Sequence, residues 1–131
     1  MTRIKLKFVI VGKNWDPIEF SLLFENIVQK NIYITKDGDN ITWGYTEGYV
    51  ETFDSGLVIS SFLNTMEKSV SIINIWCNNK QLKAEVKIQA EATMDLMPAF
   101  YVSNRMIHFL NSSRSSINFN VSIINKKGYN K

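Results

Sequence analysis

The chain has 131 residues, of which 45% are hydrophobic and 21% charged, with two prolines and a formal net charge of +3. That size and balance exclude a disordered or collagen-like chain and suit a single globular domain, residues 1–131, able to bury a core without staples. One cysteine, Cys77, and one histidine, His108, exclude an internal disulfide and a zinc site built from soft ligands alone.

From the N-terminus, charge is interleaved with apolar residues, unlike the unbroken apolar stretch of a signal peptide, and the longest apolar run, Phe8–Val11, is too short to span a bilayer. A cytoplasmic protein without membrane contact is expected. Ile4, Leu6, Phe8 and Ile10 alternate with Arg3, Lys5, Lys7 and Val9, the period of a strand with one buried face, and Gly12-Lys13-Asn14 breaks it. Asp16-Pro17-Ile18-Glu19 then reads as a helix start, with a capping Asp and proline at the first helical position. Phe20, Leu23, Phe24, Ile27 and Val28 form one stripe, which predicts a helix over Asp16–Gln29.

Ile32–Thr35 and Ile41–Tyr45 are short β-prone runs joined through Asp37-Gly38, a hairpin signature. Tyr49–Thr52 reads equally as a further strand or as an irregular loop. Asp54-Ser55 offers a second cap, followed by the helical period of Ile59, Phe62, Leu63, Met66, Val70, Ile73 and Cys77. A helix from Ser55 to about Cys77 is predicted, with a kink near Lys68-Ser69. β-branched residues in its second half leave a strand there as the competing reading.

Leu82, Ala84, Val86, Ile88 and Ala90 alternate with Lys83, Glu85, Lys87, Gln89 and Glu91, the cleanest two-residue period in the chain. One face on the core and one in water favours an antiparallel or mixed sheet over a doubly wound parallel one. The outward Lys83, Glu85 and Lys87 alternate in sign, as on a solvated face. Ser103 caps a short helix carrying Met106, Phe109 and Leu110, Ile117–Ile123 is the last strand, and residues 126–131 form a polar, frayed tail. The fold class is therefore α+β: a largely antiparallel or mixed sheet with helices packed on one face.

The opening Phe8-Val9-Ile10-Val11-Gly12 with Trp15-Asp16-Pro17, and the closing Pro98-Ala99-Phe100-Tyr101-Val102-Ser103 with Ile117-Asn118-Phe119-Asn120-Val121, resemble a bacterial family catalogued as domain of unknown function 4279. The resemblance covers both ends and not the middle from Asn31 to Thr52. It implies an α+β domain of about this length and brings no established chemistry. Both ends also read as strand, polar cap, amphipathic helix, strand, so that two such units are expected side by side in one pseudo-symmetric sheet.

No pattern for catalysis stands out. His108 lies off the apolar stripe of its helix and has no Asp or Glu near it in sequence to orient it. Asp37-Gly38-Asp39-Asn40 lacks the spacing and the twelfth-position glutamate of a calcium loop, and Gly12-Lys13 lacks the rest of a phosphate loop. A non-enzymatic domain without metal or cofactor is expected. Trp43, Tyr45, Glu47, Tyr49, Glu51 and Asp54, with Phe53, bring aromatic and acidic groups together in one Gly- and Thr-rich segment, the composition of a protein-binding hot spot. They are the candidate partner-binding residues.

The expected function is that of an immunity-type protein neutralising a cognate bacterial toxin. Small size, the missing catalytic equipment and a composition crowded with Asn, Ile and Lys, as in AT-rich mobile genes, motivate it. A ligand-binding or regulatory domain is the first alternative. Nucleic-acid binding is the less expected one, and it requires the strands carrying Arg3, Lys5, Lys7, Lys83 and Lys87 to pair so that these residues share a sheet face.

Overall fold

In the computed structural model, which describes residues 2–24, 27–95 and 97–124, the alternating N-terminal run forms β1, Arg3–Lys13, with Ile4, Leu6, Phe8 and Ile10 all buried on one side. This strand is the centre of the sheet. The remaining strands are β2 (Ile32–Asp37), β3 (Asn40–Glu51), β4 (Lys83–Ala92) and β5 (Ser116–Ile123), in the spatial order β2-β3-β1-β4-β5. Every neighbouring pair is antiparallel except β4 and β5, which run parallel. A parallel pair cannot be joined by a tight turn, and the connection here carries a helix.

The described residues also form four α-helices: α1 (Pro17–Ser21), α2 (Ser55–Met66), α3 (Val70–Lys80) and α4 (Asn104–Ser113). Three of them start on the expected caps. Asp16 accepts hydrogen bonds from the backbone N–H groups of Ile18 and Glu19, Asp54 from that of Gly56, and Ser103 from that of Met106. Each cap satisfies N–H groups that the first helical turn leaves without partners. The 3₁₀ turn Glu67–Ser69 separates α2 from α3 where the kink was expected, and α3 runs on to Lys80 before Gln81 closes it in the left-handed conformation. Phe62 and Leu63 of α2, Ile73 of α3, and Met106 and Phe109 of α4 join the even-numbered side chains of β1 and β4 in one core.

Two expectations need correcting. The first helix is a single turn rather than Asp16–Gln29, because Leu23 and Phe24 donate to the carbonyls of Phe20 and Ser21 three residues back, which tightens and ends it. Phe24 then stacks on Trp43 with ring centroids 5.3 Å apart, and Ile27 is buried, so the apolar residues that suggested a long helix are used inward by a shorter path. Glu25 and Asn26, within that expected helix, and the expected tail 126–131 lie outside the described residues. The second correction concerns symmetry. Both end units do share one sheet, but β5 lies directly beside β4 whereas β3 separates β2 from β1, so the two halves are wired differently.

The side of the sheet away from the helices carries the odd-numbered residues of β1 and β4. One aromatic covers part of it. Gly44 of β3 faces Tyr33 of β2 and Val9 of β1, and the Tyr33 ring lies across the glycine, so that a Cβ on residue 44 would sit 2.1 Å from the ring's Cζ. Val9 is buried although it lies outside the main core. Gly44→Ala should therefore displace the Tyr33 ring and destabilise the fold by about 1 kcal/mol. In a Tyr33→Ala background the same change should be neutral or stabilising, since glycine in a strand costs roughly 0.5–1 kcal/mol relative to alanine. A double-mutant cycle read by urea denaturation checks both.

Candidate functional site

The candidate segment runs along β3, and one irregularity decides where its side chains go. Lys5 pairs with Tyr49 while Lys7 pairs with Thr46, so Glu47 and Gly48 oppose the single residue Leu6. This is a β-bulge with one extra residue on β3. Gly48 takes a positive φ of 88°, and the Thr46 hydroxyl secures the distortion by donating to the Leu6 carbonyl at 2.8 Å and accepting from the Gly48 N–H at 3.1 Å. Because side chains alternate every residue, one inserted residue exchanges the faces of everything beyond it.

The six residues are accordingly dispersed. Trp43 and Tyr45, before the bulge, face the helices and are buried; the Trp43 indole N–H donates to Ser21 Oγ at 2.6 Å, and burial pushes the Tyr45 hydroxyl's pKa up. Neither presents surface to a partner. Glu47 stands at the bulge and accepts a hydrogen bond from Ser61 of α2 at 2.8 Å, beside a small apolar slot of about 240 Å³ lined by Leu6, Val50, Leu57 and Phe62. Asp54 is exposed but engaged as the cap of α2. Tyr49 and Glu51 alone reach the open side of the sheet, opposite Lys5 and Arg3.

That open side is where charge converges. Lys7 lies directly across from Lys87 in the β1–β4 ladder, with Lys5 two residues along the same strand. Burial, with the charges of Lys5 and Lys87, holds the Lys7 ammonium below its ordinary pKa. The Tyr49 ring lies under two cations, with Arg3 Cζ 3.9 Å and Lys5 Nζ 4.5 Å from its centroid. Arg3 is also paired with Glu91, and Lys87 approaches Glu85 at 3.7 Å. Among the described residues, neither Lys5 nor Lys7 forms an ion pair. The β1–β4 pairing thus gathers Arg3, Lys5, Lys7, Lys83 and Lys87 on one face, an arrangement that β4's alternating signs alone do not reveal.

A cleft of about 720 Å³ at one end of the sheet includes Trp15, Asp16, Ile41 and Trp76, but Asp16 caps α1 and the Trp15 indole N–H donates to the Ile41 carbonyl. His108 is exposed on α4, and Glu67 is held by Arg105 at 2.8 and 3.0 Å. Cys77 is buried, which pushes its thiol pKa up to about 11. Among the described residues no three His, Cys, Asp or Glu side chains gather as a metal site requires, and no helix is long and apolar enough to cross a membrane. Comparison with protein-family models, curated proteins and solved structures gives no match to this chain.

Two expected outcomes follow from these groups. Lys7 binds its proton less tightly in the folded chain than in the unfolded one, so the folded state is penalised below the lowered pKa and the penalty fades as pH rises towards 10.5. Lys7→Gln should raise the urea midpoint at neutral pH, and added salt should narrow the difference from wild type by screening the repulsion. For Cys77, a thiol-specific reagent at pH 8 should label the native chain far more slowly than the urea-unfolded chain; equal rates would contradict its burial.

Proposed function

We propose that the chain is a non-catalytic protein-binding module, of the immunity type, that covers an acidic surface of a cognate toxin with the open face of its sheet. The observation that carries this is the juxtaposition of Lys5, Lys7 and Lys87 with, among the described residues, no carboxylate paired to Lys5 or Lys7. Like charges held together by backbone pairing repel one another in the free protein, and an anionic partner relieves that repulsion on contact. Charge arranged in this way steers encounter and selects partners more than it adds raw affinity. Tyr49, held by two cations at the margin, supplies a rigid contact whose side-chain entropy is already spent.

A second reading, single-stranded nucleic acid on the same face, is favoured by Tyr49 beside Arg3 and Lys5, with Tyr33 over Gly44 on the same side of the sheet, since aromatic platforms with basic neighbours stack bases. It ranks below the first because Glu85 and Glu91 share that face and would repel phosphates, and because Arg3 and Lys5 already occupy the Tyr49 ring.

The test is co-expression with the reading frame adjacent to this chain's gene. If that product arrests growth, wild-type chain should restore it and bind it, whereas Lys7→Glu with Lys87→Glu should weaken binding by about 100-fold and abolish rescue. A harmless neighbour, or rescue undiminished by the double reversal, would remove the immunity reading. A gel shift with a single-stranded oligonucleotide at low salt, where phosphate contacts are strongest, should show no complex.

A further inference from the structure

The cleft at the end of the sheet differs in chemistry from the lysine-rich face. Two indoles form its apolar part. Trp15 is buried, with its N–H engaged by the Ile41 carbonyl at 3.1 Å, and Trp76 of α3 is half-buried. The Phe20 ring lies against both, with centroids 5.7 Å and 5.3 Å away, so one buried ring braces the pair.

The polar part comes from three separate segments: Asn14 and Glu19 around the start of α1, Lys36 and Asp39 at the β2–β3 hairpin, and Asn79 and Lys80 at the end of α3. All six residues are exposed, and among the described residues none of their side chains enters a hydrogen bond or an ion pair. Asp16 caps α1 through Oδ1 alone, which leaves Oδ2 uncommitted. Opposite charges that line one cleft without pairing keep both donors and acceptors available to a ligand. A neighbouring hollow of about 700 Å³ shares Asn14, Asn79 and Lys80 and continues to Asn40 and Gln81, so the polar surface is extended and rich in amides.

We propose that this cleft binds a neutral oligosaccharide. A sugar hydroxyl donates and accepts at once, and it is matched by carboxylates that only accept, ammoniums that only donate and amides that do both. The electron-rich face of an indole attracts the C–H groups of a pyranose ring. Over the two hollows three carboxylates, Asp16, Glu19 and Asp39, stand against four ammoniums, Lys13, Lys36, Lys80 and Lys83, a balance that suits neither a phosphate-bearing ligand nor a cation. A peptide strand fits less well, because the cleft lies across the ends of β1, β2 and β3 rather than along an edge and offers no row of backbone groups for a ladder. At about 720 Å³ the main hollow falls within the ordinary range of small-molecule sites, about 300–1,000 Å³. The proposal is independent of the partner assigned to Lys5, Lys7 and Lys87.

Calorimetric titration of the full chain with cellobiose, maltose, lactose and N,N′-diacetylchitobiose should show saturable binding of at least one, with a Kd below about 10 mM. Trp76→Ala should weaken that binding by about tenfold or more, and Trp76→Phe by less. Asp39→Ala combined with Asn79→Ala, at exposed positions that leave folding untouched, should weaken it by about tenfold. Circular dichroism verifies that each variant is folded. Absence of binding to all four sugars would overturn the proposal. Equal or tighter binding of glycylglycine or inorganic phosphate would assign the cleft to another ligand class and overturn it too. Sugar binding that survives both the Trp76→Ala and the Asp39→Ala/Asn79→Ala changes would place the site elsewhere, with the same consequence.

Discussion

The structure depends on the packing around Phe8. This residue lies fully buried near the middle of the central strand, and its ring meets Trp43 of β3 at 6.3 Å, Phe62 of α2 at 5.6 Å and Phe109 of α4 at 5.8 Å. Contacts between aromatic edges and faces at such distances add to the burial of large apolar area. One side chain thereby ties the sheet to helices drawn from both halves of the chain. The alternation that aims Phe8 inward aims Lys7 and Val9 outward, so the position of the core decides the position of the bare face. Concentrating the helices on the Phe8 side leaves the other side, among the described residues, to what its own strands carry, above all Tyr33 lying across Gly44.

The bulge at Glu47-Gly48 is the second determinant of the candidate surface. Without it, Trp43, Tyr45, Glu47, Tyr49 and Glu51 would all face the helices, and their charges would be buried or the strand would fail to pair. One extra residue resolves the conflict by returning Tyr49 and Glu51 to water while Val50 packs towards the slot beside α2. It also brings Tyr49 over Lys5, which converts a strand aromatic into a clamp on two cations.

The legible part of the fold is the part governed by local chemistry. Asp16, Asp54 and Ser103 announce their helices because a short polar side chain before an apolar stripe has few other uses, and the Leu82–Ala90 alternation needs no tertiary information to be recognised as a strand. The illegible part depends on partners distant in sequence. Phe20, Phe24 and Ile27 fit a helical stripe equally whether one turn or four are formed, and the choice rests on Trp43, which takes the Phe24 ring. The aromatic segment suggested a surface because Trp and Tyr serve cores and interfaces alike. Only the sheet register shows that Trp43 and Tyr45 belong to the core and Tyr49 to the surface. The available signal was Gly48 after Thr46 and Glu47, since an isolated glycine within a strand pattern marks a bulge.

The same distinction applies to charge. Read along β4, Lys83, Glu85 and Lys87 alternate in sign and suggest nothing more than solvation, because Glu85 has a base two residues away on either side of it. Read across the ladder, Lys87 meets Lys7, and the sign pattern that looked neutral along one strand becomes a positive centre bounded by Glu85 and Glu91. Electrostatic character in a sheet is a property of pairs of strands, and antiparallel pairing of two separately unremarkable segments creates it. Such a centre persists in the free protein only because the hydrophobic core on the opposite side of the same strands holds the register against the repulsion. The stability of the Phe8 layer and the charge of the open face are thus opposing terms fixed by a single alignment of β1 with β4.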